Sequence, residues 1–100
     1  MSDAIHLEDL PEFDIAEHLD SPDTIALYLN EIIRAGDSAL LAAALGTIAR
    51  AQGMTEMAQR SGITREALYK ALRPGASPRF DTISKVIQSL GVELIARPKP

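Results

Sequence analysis

Residues 54–72, with the sequence MTEMAQRSGITREALYKAL, constrain the fold more than any other part of the chain. Gly62 favours a tight turn with positive φ, and Thr55 and Thr64 are candidate N-caps of the helices on either side of it. A turn this short prevents antiparallel packing, so the two helices must cross steeply. The pattern predicts a helix-turn-helix hairpin. The apolar residues that can meet inside it are Met57, Ala58, Ile63, Leu68 and Leu72.

The second helix of this hairpin has a polar outer face. Helical periodicity places five residues there, namely Thr64, Arg65, Glu66, Tyr69 and Lys70. Arg and Lys reach guanine O6 and N7 or phosphate, Thr and Tyr reach phosphate, and Glu accepts from cytosine N4 or orients a neighbouring Arg. We therefore predict that this face contacts DNA, with Thr55 of the first helix as a further contact. Most polar helix faces meet only water, and a plain helical bundle stays an alternative.

Charge is divided unevenly along the chain, whose formal net charge is −4. Residues 1–37 contain ten acids and a single base, Arg34, which gives −9. Residues 38–100 contain nine bases and four acids, which gives +5. A basic region binds phosphate by releasing counterions, and an acidic region attracts a basic partner. The low overall pI therefore does not argue against nucleic-acid binding.

The remaining helices are predicted from caps and apolar periodicity. One hundred residues with 46% hydrophobic content and few aromatics suit one all-α domain. Ser21-Pro22-Asp23 starts a helix that ends at Gly36, and Asp37 or Ser38 starts an Ala-rich helix that ends at Gly53. A further amphipathic helix covers residues 80–90, with Phe80 in its apolar stripe. The helical domain is predicted to span residues 21–100.

Two segments near the C-terminus are not helical in this prediction. The prolines and glycine of RPGASPR predict a loop, in which Arg73, Ser77 and Arg79 are candidate phosphate contacts, although solvation explains such residues equally well. Residues 92–96, VELIA, predict a short strand that must pair within the chain or with a second copy. We expect a homodimer, because one recognition helix reads only a few base pairs. Its predicted contacts are Val92, Leu94 and Ile95.

Residues 1–20 form an acidic leader that is predicted to be weakly structured. Its apolar residues are too few for an independent core, so it either packs on the helical domain or orders on a partner. In the second reading the residues that bind a basic protein are Glu12, Phe13, Asp14, Ile15, Glu17 and Leu19. In the first, Phe13 and Leu19 dock on the following helix and the acids only increase solubility.

Catalytic and metal chemistry are poorly supplied. The chain has no cysteine, and its two histidines, His6 and His18, lie in the leader without metal-ligand spacing. The glycines fall singly, so there is no phosphate-binding glycine loop. We expect no enzymatic activity, no cofactor and no metal. Without an apolar run of about 20 residues or a signal peptide, we expect no membrane association and a cytoplasmic location.

The order of motifs resembles a known family. Residues 53–94 resemble the Xre/Cro repressor-type helix-turn-helix family. With FDIAEHL, IALYLNEII, ITREALYKAL and PRFDTISKVIQSLG in this order, nearly the whole chain is similar to the HigA-like addiction-module antidote proteins, which are antitoxins. The resemblance implies a five-helix repressor-type domain, dimeric operator binding, and a cognate toxin of the RelE/ParE/HigB type.

The function expected from sequence is therefore that of a type II antitoxin. It would neutralise its toxin by direct binding and repress its own operon through the helix-turn-helix. A phage- or plasmid-type transcriptional repressor without a toxin partner is the alternative, and a protein-binding adaptor that has lost the ability to bind DNA is the further rival.

Overall fold

The computed structural model describes residues 18–100, and from Leu19 onward these residues form five helices and no strand. The helices are α1 Pro22–Ala35, α2 Ser38–Gln52, α3 Met54–Ser61, α4 Arg65–Leu72 and α5 Phe80–Ser89. The predicted all-α class is confirmed for this part of the chain. Between residues 18 and 100 there is no helix with the length and apolar character needed to cross a bilayer.

Side-chain caps determine where α1 begins. Ser21 Oγ accepts a hydrogen bond from the backbone N–H of Thr24 at 3.3 Å, and Pro22 occupies the first helical position. The first N–H groups of a helix have no partner within it, so a cap of this kind stabilises the start. Gly36 ends the helix in the left-handed region, with φ of 73°. The predicted boundaries of this helix are confirmed.

The Ala-rich helix α2 lies at the centre of the fold, in contact with each of the other four helices. Its N-cap is Asp37, whose Oδ1 accepts from the N–H groups of Ala39 and Leu40 at 3.0 and 3.3 Å. From Ala44 to Ala49 every residue is buried. Small side chains along this stretch allow neighbouring helices to approach closely, as the sequence predicts.

Helices α3 and α4 lie on either side of the predicted tight turn. Each has eight residues, and Gly62 joins them with φ of 75° while its N–H donates to the Ala58 carbonyl oxygen at 3.0 Å. A residue with a Cβ rarely adopts this φ, so glycine suits the turn. The predicted inner set is confirmed. Met57, Leu68 and Leu72 are buried, and Ala58 and Ile63 pack half-buried against the core.

The predicted cap of α3 is wrong. The helix begins at Met54 after Gly53, and no side chain caps it. Thr55 is therefore already the second helical residue, and its hydroxyl does not accept a hydrogen bond from the N–H of a following residue. The prediction failed because Gly53, with φ of 100°, lets the chain enter α3 directly from the end of α2.

The hydrophobic core of residues 18–100 includes side chains from all five helices and from the segment before α1. The larger buried side chains are Leu19, Ile25, Leu29, Leu45, Ile48, Met57, Leu68, Leu72, Val86 and Ile87. Phe80 differs from the prediction, because 72% of it is exposed although it belongs to the apolar stripe of α5. It is the first residue of that helix, ahead of the turns that pack on the core.

The predicted strand at residues 92–96 is not formed in the single chain. Val92 donates its N–H to the Ile87 carbonyl oxygen at 3.3 Å, and residues 92–100 continue without regular structure. A strand needs a neighbour to pair its backbone groups. Because residues 18–100 provide no other strand, pairing with a second copy stays a prediction.

Candidate nucleic-acid interface

The outer face of α4 is exposed as predicted. Its five candidate contacts, Thr64, Arg65, Glu66, Tyr69 and Lys70, are all accessible to solvent. Thr64 is the N-cap, and its Oγ1 accepts from the Ala67 N–H at 3.1 Å. The capping hydroxyl has a structural role, so the other four side chains are those that the hairpin presents freely. Their contact with DNA stays a prediction.

Arg65 and Tyr69 interact on this face, one helical turn apart. The Arg65 Cζ atom lies 5.4 Å from the centroid of the Tyr69 ring. Arg65 Nη2 also donates to Tyr69 Oη at 3.4 Å, at the long end of the hydrogen-bond range. Glu66 is not the partner of Arg65 in the structure, since adjacent helical residues point in different directions. Arg65 is thus partly ordered by an uncharged side chain.

The outer face of α3 is arranged differently. Arg60 Nη2 lies 2.8 Å from Glu56 Oε2, and Arg60 Nη1 donates to Gln52 Oε1 at 3.2 Å. The charge of Arg60 is therefore compensated within the chain. Thr55 is exposed on this helix, and its role as a DNA contact stays a prediction.

The loop after α4 brings a second cation and a hydroxyl beside the end of this face. Lys70, Arg73 and Ser77 line one shallow concavity together with the loop backbone. The Ala76 N–H donates to the Arg73 carbonyl oxygen at 3.1 Å, which closes a turn in the loop. Cations and hydroxyls bind phosphate oxygens, and contact of Arg73 and Ser77 with phosphate stays a prediction.

Arg79, the other predicted loop contact, is exposed at the start of α5 and does not line that concavity. No carboxylate in the described part of the chain forms a salt bridge with Lys70, Arg73 or Arg79. Within residues 18–100 these three cations therefore have no ion-pair partner.

The position of α4 depends on a residue that the sequence reasoning did not single out. Gly46 lies in the middle of α2, and a Cβ added to it would stand 2.7 Å from the backbone carbonyl oxygen of Leu72. Such a distance is below van der Waals contact, so only glycine permits this approach of α2 to the end of α4. A glycine within an Ala-rich helix was the available signal, because glycine there weakens a helix unless packing requires it.

Most of the predicted toxin-binding residues lie outside the described residues, namely Glu12, Phe13, Asp14, Ile15 and Glu17. Leu19 is described, and it is only 2% exposed within the hydrophobic core. The side chain packs on the helical domain, as the alternative interpretation of the leader expects, and its role as a partner-binding anchor stays a prediction. The domain therefore begins before residue 21.

The predicted dimer residues divide into two groups. Val92 packs half-buried against the core of its own chain. Leu94 and Ile95 are 39% and 66% exposed, and they are the apolar residues of this segment that stay available to a second copy.

Comparisons with known proteins identify a family and one relative. A family model described as "Probable addiction module antidote protein" matches residues 9–98. A Haemophilus influenzae protein with the name "Uncharacterized protein" is 48% identical over 86 residues, which cover 86% of this chain and 89% of that protein. No solved structure matches the chain.

Proposed function

Because the chain belongs to the family of probable addiction module antidote proteins, we propose that it is the antitoxin of a type II toxin–antitoxin module. In this proposal it binds a RelE/ParE/HigB-like toxin directly and represses its own operon through the α3–α4 hairpin. It acts in the cytoplasm as a homodimer and has no enzymatic activity. Membership of this family supports a toxin partner in general. DNA binding, toxin binding through the leader and the homodimer each rest on a separate observation.

The observation that carries the DNA-binding part is the charge on α4 and the loop after it. Lys70, Arg73 and Arg79 are exposed and have no acidic partner within residues 18–100. Cations left unpaired on one surface attract phosphates, because binding releases the counterions that the nucleic acid has condensed. An exposed, capped helix is also a suitable element for entry into a major groove.

The test of this part uses the full chain and the duplex DNA that immediately precedes its own reading frame. Affinity is measured by fluorescence anisotropy at several salt concentrations, with a duplex of scrambled sequence as control. We expect tighter binding to the native duplex and a log–log salt slope of about −0.9 for each phosphate contacted. Equal, weak binding of both duplexes would contradict operator recognition.

Toxin binding is supported by the charge of the N-terminal region. Residues 1–37 have a net charge of −9, and the acids described there, Asp20, Asp23, Glu31 and Asp37, are all exposed. A toxin that cleaves RNA must itself attract phosphates, so it presents basic surface. Complementary charge steers the two proteins together, while apolar residues of the leader such as Phe13 and Ile15 supply the anchors.

The burial of Leu19 determines how the leader should be tested. A chain that begins at His18 removes the acidic leader but retains Leu19 and thus the core. It is co-expressed with the product of the neighbouring toxin reading frame, and cell growth and co-purification are measured against the full chain. We expect the short chain to keep its thermal stability and lose toxin neutralisation. Full neutralisation by the short chain would place the toxin interface on the helical body.

The homodimer is tested by sedimentation. A chain that ends at Glu93 keeps Val92 in the core and lacks Leu94 and Ile95. We expect the full chain to dimerise at tens of micromolar concentration and the shortened chain to be monomeric. If the shortened chain dimerises equally well, the interface lies elsewhere.

A further inference from the structure

Arg65 is ordered by a neutral partner rather than by an acid. Its guanidinium lies over the Tyr69 ring, 5.4 Å from the centroid, and donates to the phenolic oxygen at 3.4 Å. Arg60 of α3, in contrast, forms a 2.8 Å ion pair with Glu56. An ion pair orders an arginine and cancels its charge. An aromatic ring orders it and leaves the charge and most of its five N–H donors available.

This order matters for one kind of DNA contact more than for another. A phosphate accepts a hydrogen bond from many directions, so a flexible cation suffices. Bidentate recognition of guanine requires both donors of the guanidinium to meet O6 and N7 in the plane of the base. A side chain held along the helix surface before binding loses less conformational freedom on making that contact.

Arg65 also stands at the place on α4 from which base edges are reached. It is the first helical residue after the Thr64 cap, and the first turn of a recognition helix is the part that enters the groove. Tyr69 is one turn further on, 44% exposed, with its ring beneath the guanidinium.

We propose that Arg65 reads a guanine in each half of the bound DNA site and that Tyr69 is the positioning residue that orients it. This inference rests on the proposed DNA-binding function and specifies its chemistry. It assigns Tyr69 a role through Arg65 instead of a direct phosphate contact.

The experiment selects binding sites from a random duplex library with the full-length wild type and four variants, followed by affinity measurements on the selected duplex and on single-base substitutions. The variants are Arg65→Ala, Tyr69→Leu, Tyr69→Phe and the control Arg34→Ala. Arg34 is an exposed cation on α1, so its removal changes the net charge equally without touching the hairpin. Thermal unfolding of every variant verifies the fold.

We expect the wild-type motif to contain a guanine whose discrimination falls by about 5- to 150-fold in Arg65→Ala, as removal of one bidentate contact predicts. In Tyr69→Leu the discrimination at that same position should fall by about 2- to 5-fold, because the substitution removes the ring beneath the cation. Tyr69→Phe keeps the ring and should retain most of the preference. Arg34→Ala should leave the motif unchanged.

Three results would overturn the inference while leaving DNA binding intact. They are a motif in which no guanine depends on Arg65, full discrimination at that guanine in Tyr69→Leu, and a loss in Tyr69→Leu that falls at a different base, which would indicate a direct contact by Tyr69. Failure of the wild type to bind any duplex at low salt would instead overturn the proposed DNA-binding function and this inference with it.

Discussion

Helices α3 and α4 have the same length and lie in the same hairpin, yet they use their exposed charges in opposite ways. On α3, Arg60 is paired with Glu56 and also donates to Gln52 at the end of α2. On α4, Arg65 donates to Tyr69 and forms no ion pair within residues 18–100, and no acid in the same range pairs with Lys70. An arginine that is paired with an acid of its own chain is less available to a ligand. Cations without an acidic partner are available to bind an external anion.

The two helices also differ in how they begin. The Thr64 hydroxyl caps α4, whereas α3 follows directly from Gly53 without a side-chain cap. Of the two, α4 is thus the one whose start is stabilised independently of the preceding helix. A defined start is useful in an element whose first turn must be placed accurately against a ligand.

The largest expected effect comes from changing what places α4 on the core. In Gly46→Ala the new Cβ would lie 2.7 Å from the Leu72 carbonyl oxygen, so the end of α4 must move. Although alanine favours a helix, we expect a net loss of about 1–3 kcal/mol in the free energy of unfolding, typical of overpacking. Urea denaturation measures it. The control is Ala51→Gly at an exposed position of the same helix, which measures the difference in helix propensity between alanine and glycine alone. If Gly46→Ala were more stable than the wild type, α4 would be able to shift without cost.

The second effect concerns the charges directly. Lys70→Ala should weaken duplex binding and reduce the magnitude of the log–log salt slope by about 0.9, the change expected when a single phosphate is no longer neutralised. Arg60→Ala removes the same charge from α3, where Glu56 already compensates it, and should change the slope little. The measurement is a salt titration of duplex affinity. If both variants have the same salt slope, Lys70 of α4 and Arg60 of α3 do not differ in their contribution to phosphate binding.

The smallest effect concerns the two threonines. Thr64→Ala should lower the free energy of unfolding by about 1 kcal/mol, because the Ala67 N–H loses its acceptor. Thr55→Ala should change it by less than about 0.5 kcal/mol, since Thr55 is exposed and caps nothing. Chemical denaturation of both variants decides this, and a larger loss in Thr55→Ala would mean that the start of α3 is misassigned.

The sequence by itself determined the features that depend on near neighbours. The caps at Ser21, Asp37 and Thr64 were predictable because each hydrogen bond joins residues two or three positions apart. The turn at Gly62 was predictable for a similar reason, because its hydrogen bond joins residues four positions apart. The apolar faces of the hairpin followed from helical periodicity, and so did the exposed face of α4.

Only the tertiary structure decided the features that depend on distant residues. Leu19 enters the core because the helices behind it leave a place for its side chain, whereas the leader sequence left open whether it docks on the helical domain or on a partner. The contact of Arg65 with Tyr69 is not of this kind, because it joins residues four positions apart on one helix.

Gly46 illustrates the physical reason most clearly. Its importance comes from the Leu72 carbonyl oxygen, which belongs to another helix and approaches α2 only in the folded chain. Helical periodicity and caps depend on residues close in sequence, and they determine where a helix begins and which of its faces is exposed to water. The distance between two backbones is decided by how all five helices fill the same core, which is why no local pattern predicted it.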